Sequence, residues 1–138
     1  MIIPHYYEDP HMLHENTMPN RAYYVPASKR MDNLIEHREQ SDRLQSLTGN
    51  WKFRYYKSIY DLQDEFYKTD YPVEEYDTVP VPGVWQNYGY ESHQYIESDY
   101  PFPVDPPYVP LDNPCGAYIH KFQYKTNADA PKVYLEFE

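Results

Sequence analysis

From Val79 to Gly116 the chain reads VPVPGVWQNYGYESHQYIESDYPFPVDPPYVPLDNPCG, and this run holds eight of its fourteen prolines. Proline fixes its own φ, withholds a backbone donor and pushes the preceding residue toward extended geometry, so the run is expected to be neither helix nor central strand. It reads as a long, stiffened loop, and loops of that length in compact domains are usually functional or disordered. The rings decide against disorder. Trp85, Tyr88, Tyr90, Tyr95, Tyr100, Phe102 and Tyr108 need burial, and each Tyr or Trp also carries a polar tip. Rings of this kind suit a sugar or a partner domain.

The rest of the composition narrows the class. At 138 residues the chain holds one domain at most. Eighteen of its apolar residues are tyrosines, whose hydroxyls need partners, and this favours sheets and interfaces over an aliphatic bundle. A formal net charge of −10 repels polyanions at long range, which argues against nucleic acid as a partner. With one cysteine no intrachain disulfide forms. The opening MIIPHYYEDPHM has neither the basic nor the apolar region of a secretory signal, and no apolar run approaches a membrane span, so a cytoplasmic location is expected.

Along the chain, residues 1–49 read as an extended N-terminal arm, in which Ser28 to Arg43 is densely charged and forms at best a short surface helix. Asn50 to Tyr56 alternates, with Trp51, Phe53 and Tyr55 on one face, as a half-buried strand does. Ile59, Leu62 and Phe66 follow Ser58 at helical spacing and predict a helix of about two turns capped by that serine. Strands are expected again at Asp77 to Val81, at Ala117 to Thr126 and at Lys132 to Glu138, the last with Val133, Leu135 and Phe137 inward, and a turn at Asn127 to Pro131. The expected fold class is all-β. Some four strands are too few for the two packed sheets that such amphipathic strands call for, so residues 50–138 read as an incomplete sandwich whose bare edge leaves the isolated chain marginally stable.

Few constellations carry chemistry. No two of the acids can be paired by spacing as a general acid and its partner carboxylate would be, so no catalytic residue is assigned. Trp85 is either a platform for a pyranose ring or, placed just after a strand, a core anchor. His11 and His14, with Glu8, Asp9 and Glu15, are potential metal ligands, yet nothing fixes a second pair, and no metal site is assigned. Cys115, with no basic neighbour, reads as a small residue of the Asn113-Pro114-Cys115-Gly116 turn. The run Lys29 to Arg43 is most simply a solvated face.

The long run also resembles the amino-terminal region of the β-galactosidases of glycoside hydrolase family two. Val81, Pro82, Trp85, Gln86, Gly89 and Tyr90 match a V-P-x-x-W-Q-x-x-G-Y segment. Tyr100, Pro101, Val104, Pro106, Pro107, Val109, Pro110, Asn113, Pro114, Gly116 and Tyr118 match the Y-P-x-x-V-x-P-P-x-V-P-x-x-N-P-x-G-x-Y segment that follows. Upstream, Asn20-Arg21 resembles the family's Asn-Arg pair, and Ser46 to Phe53 its S-L-x-G-x-W-x-F strand. The resemblance implies a partial jelly-roll β-sandwich, with an extended N-terminal arm and a long Pro/Tyr-rich loop, whose remaining strands, immunoglobulin-like domains and TIM barrel follow.

It further implies the sugar-binding region of an enzyme that hydrolyses terminal β-galactosides such as lactose with retention, both catalytic glutamates lying on the barrel. This chain would then supply an active-site wall and contacts within a homo-oligomer, and would be inactive alone. Magnesium and sodium would be bound in the parent enzyme, with no cofactor held by this chain. A family asparagine that hydrogen-bonds galactose falls at Glu97, a carboxylate that only accepts where an amide also donates. Glu97 is thus either a sugar contact or an exposed loop acid. The rival readings are a freestanding carbohydrate-binding module and a fragment that complements a defective enzyme.

Overall fold

The computed structural model describes residues 4–92, 104–130 and 132–137. The chain divides into two compact units: Met1–Met18 with Thr48–His120, and Pro19–Leu47 with Lys121–Glu138.

The first unit is built on a three-stranded antiparallel sheet of order β2-β1-β3, formed by β1 (Gly49–Tyr56), β2 (Asp77–Val81) and β3 (Cys115–Ile119). The alternation in β1 sets its two faces, since successive side chains of a strand point to opposite sides. Register then carries that division across the sheet. Phe53 lies opposite Asp77 on one side and Tyr118 on the other, and Arg54 lies opposite Ala117. On one face Phe53 is fully buried and Val79 nearly so; on the other, Tyr56, Leu62, Tyr76 and Ala117 form a cluster with Ile59, Phe66, Tyr71 and Val73 packed around it. Pro80 sits in β2, at the edge of the sheet, where a strand tolerates a missing donor.

The architecture is all-β, and no α-helix occurs among the described residues. The strand at Asp77 to Val81 falls where expected, as does the turn after Asn127, where the Ala130 N–H donates to the Asn127 carbonyl at 3.0 Å. The two-turn helix expected at Ile59 to Phe66 is instead a single 3-10 turn, Ile59–Asp61. Ser58 caps it as anticipated, its Oγ accepting from the Tyr60 N–H at 3.2 Å. Two turns are too few to hold a helix by propensity. Burial of Leu62 and the bond from the Tyr56 hydroxyl to Asp64 at 2.7 Å draw the following residues into the core as irregular chain. Within the proline-rich run, the proline-free stretch after Gly83 coils into another 3-10 turn, Trp85–Tyr88, ended by Gly89 at φ +87°.

Two strand expectations are corrected. The strand expected at Ala117 to Thr126 begins earlier, at Cys115, and stops at Ile119, opposite Lys52. Among the described residues the segment 132–137 joins no sheet, and Val133, Leu135 and Phe137 are exposed rather than inward. Alternation marks a segment that suits a ladder, but only a partner with free backbone groups makes one.

In the second unit the charged run forms turns and one 3-10 turn, Arg38–Gln40, so the short surface helix does not appear. Most of the run is exposed, but Ser41 is buried. Its hydroxyl donates to the Pro26 carbonyl and accepts from the Arg43 N–H at 3.0 Å. Asp42 accepts from the Ser28 N–H at 3.0 Å and from the Ser28 hydroxyl, and these bonds hold its carboxyl below the usual range. No helix among the described residues is long and apolar enough to cross a membrane.

Candidate functional site

The Phe53 face of the sheet carries the only region where the singled-out aromatics converge with polar groups among the described residues. Trp85 opens the 3-10 turn after β2 and lays its indole over Phe53, with ring centroids 6.2 Å apart and planes at 29°. The edge of Tyr55 meets it at 5.9 Å. Tyr90 completes the group, edge-on to Phe53 at 4.8 Å and stacked on Tyr55 at 6.0 Å, while Tyr118 tilts onto Phe53 from β3 at 4.6 Å. At one end of the same face Trp51 stacks on His120 at 4.9 Å.

Gly116 makes this packing possible. It faces the same side as Phe53, and a Cβ there would overlap the Phe53 ring and come within 3.2 Å of the Trp85 indole. The glycine of the N-P-x-G-x-Y segment is therefore a matter of space, not of a special backbone angle.

The polar tips are engaged in turn. The Trp85 Nε1–H donates to Glu91 Oε2 at 3.1 Å, and the Gln86 Nε2–H reaches the same oxygen at 3.5 Å. The Tyr90 hydroxyl donates to Asp77 Oδ2 at 2.5 Å and its N–H to the Trp85 carbonyl at 3.3 Å. Loss of water around the ring, together with that hydrogen bond and the Asp77 charge, pushes the Tyr90 phenol up to about 12. Burial raises Tyr118, with Tyr88 adding to it, and burial raises Tyr55, with the charge of Glu91 adding to it. These phenols are thus neutral donors at physiological pH. Neutral hydroxyls, an indole and carboxylate acceptors are groups able to hydrogen-bond and pack against a polyol.

Trp85 is half-buried and packs against Phe53 and Tyr55. Glu97 lies outside the described residues. The arm histidines bond locally: His14 Nδ1 lies 3.1 Å from Thr17 Oγ1, and the His11 backbone N–H donates to Asp9 Oδ1 at 2.9 Å. Among the described residues no three His, Cys, Asp or Glu side chains come together as a metal would need. Burial and the charge of Asp61 raise the Cys115 thiol, which fits a packed residue at the start of β3. Sequence reasoning missed Glu91 and Asp77, because an acid's value as an acceptor depends on which ring the fold brings to it.

Residues 44–138 match the family model described as glycosyl hydrolases family 2, sugar binding domain. The chain belongs to this family. The matched span contains all three strands, the Trp85–Tyr88 turn and Glu91. Similar curated proteins include a β-galactosidase of Actinobacillus pleuropneumoniae, 44% identical over 123 residues, which make up 89% of this chain and 12% of that protein. A β-galactosidase of Staphylococcus xylosus is 36% identical, with 100% of this chain and 14% of that protein covered. One from Leuconostoc mesenteroides is 36% identical across 85% of the chain and 11% of its own length. The chain thus spans no more than 14% of the length of these family relatives.

Proposed function

We propose that this chain is the sugar-binding region of a β-galactosidase that removes terminal non-reducing β-D-galactose residues, lactose among them, in carbohydrate metabolism. The observation that carries this reading is the family match across the three strands, taken with relatives named β-galactosidase over nearly the whole chain. The arm of residues 1–49 and the region 50–138, as part of a jelly roll, would contribute oligomer contacts and an active-site wall. The catalytic carboxylates, the magnesium and sodium ions and the retaining chemistry would belong to residues outside this chain, which alone would be inactive. The enzyme would work in the cytoplasm on soluble galactosides.

Within this reading Trp85 and Glu97 face the galactosyl unit. The test is galactoside kinetics on the longer enzyme carrying Trp85→Ala or Glu97→Ala. A wall that binds sugar predicts a rise in KM of about five- to tenfold, the scale of one lost polar or stacking contact. Wild-type KM in both variants would reject the wall. A freestanding carbohydrate-binding module would instead show galactose binding by this chain and a coding sequence with no barrel region.

A further inference from the structure

We propose that Glu91 is a positioning residue for the Trp85 indole, a role that rests on the reading of this face as a galactoside-binding wall. Glu91 has φ +88°, in the left-handed region that a residue with a Cβ rarely occupies, and it follows Gly89 at φ +87°. A non-glycine residue persists there only when its surroundings over-determine it. Here they do. Tyr90 is pinned at both ends, by its N–H on the Trp85 carbonyl and its hydroxyl on Asp77, with its ring against Phe53 and Tyr55.

With Tyr90 so fixed, the turn back at Glu91 is what brings its carboxylate onto the indole N–H at 3.1 Å and the Gln86 amide at 3.5 Å. An indole held only by ring packing can rotate in its slot, whereas one whose N–H is also bonded presents a single face. The carboxylate therefore sets which face of Trp85 a pyranose meets. Glycine at this position would suit the local backbone better, so the glutamate side chain sits there at a conformational cost.

The test uses Glu91→Ala, Glu91→Gly and Glu91→Gln in the longer enzyme, alongside Trp85→Ala. Positioning predicts a KM about fivefold higher for Ala and Gly with kcat less affected, and near wild-type behaviour for Gln, whose carbonyl still accepts. A merely structural role predicts the opposite for Gly, which relieves the strained angle: a wild-type KM there, with Trp85→Ala still impaired, overturns the inference. If Trp85→Ala itself leaves KM unchanged, the wall reading fails, and indole N–H exchange in this chain decides the positioning role separately. The chain has only Trp51 and Trp85. Faster exchange at Trp85 alone in Glu91→Gly supports positioning, and unchanged exchange overturns it.

Discussion

The two faces of the sheet are both built from tyrosine, yet they satisfy it in different ways. On the Tyr56 face the hydroxyls turn inward to one another and to a local ion pair. Tyr56 donates to Asp64 at 2.7 Å and lies 3.4 Å from the Tyr76 hydroxyl, while Arg54 reaches Asp64 at 3.5 Å and spreads over the Tyr56 and Tyr76 rings. Apart from Ala117 of β3, its buried residues come from β1 and the segment leading to β2. On the Phe53 face the rings come from separated parts of the chain, and their polar tips turn outward to Asp77 and Glu91. The first arrangement closes on itself and stabilises; the second leaves acceptors at the rim and suits recognition.

The sharpest way to break this contrast is at the residue beneath the outward-turned rings. Phe53 has no solvent exposure and touches Trp85, Tyr90 and Tyr118. Phe53→Ala is expected to cost about 3–5 kcal/mol, the usual range for emptying an aromatic site in a core. Urea unfolding of the purified chain checks this, and loss of any cooperative transition is the expected result. A transition within about 1 kcal/mol of wild type would mean that the rings are held by something other than Phe53.

A smaller effect sharpens the other side. Tyr56→Phe keeps the ring but deprives Asp64 and Tyr76 of their shared hydroxyl, an expected cost of about 1–2 kcal/mol. If the Tyr56 face closes on itself, this variant loses stability in urea while galactoside KM in the longer enzyme stays at the wild-type value. A change in KM with no change in stability would erase the distinction between the faces.

The sequence made the sheet's centre and its facing legible for a simple reason. In Trp51, Phe53 and Tyr55 the period of two is carried by side chains large enough to leave no ambiguity, and the family motifs marked the Trp85 turn. What alternation could not tell is whether a strand finds a partner. Lys132 to Glu138 is as well patterned as Asn50 to Tyr56, yet its segment joins no sheet among the described residues, because pairing depends on backbone groups elsewhere. The short helix after Ser58 failed for a related cause: Leu62 and Asp64 gain more from the Tyr56 cluster than from helical bonds. The roles of Glu91 and Gly116 were hidden because each is a relation to one particular ring, Trp85 for Glu91 and Phe53 for Gly116, with no period or composition to announce it.

The mildest effect tests the outward-turned tips by pH. The bond from Tyr90 to Asp77 lies at the exposed rim, where water competes, so Tyr90→Phe is expected to cost under about 1 kcal/mol at neutral pH. The Tyr90 phenol is raised to about 12, against about 10 in an unfolded chain. Between those values the unfolded chain has already released a proton that the folded chain keeps, so stability falls as pH rises. Its contribution is complete below about pH 10 and gone above about pH 12. Stability of the wild-type chain should therefore drop more steeply across that window than that of Tyr90→Phe, and the two curves should converge at its upper end. Parallel curves would show that Tyr90 titrates as a free phenol, with its hydroxyl released from Asp77, and the outward-facing arrangement would lose one of its two anchors.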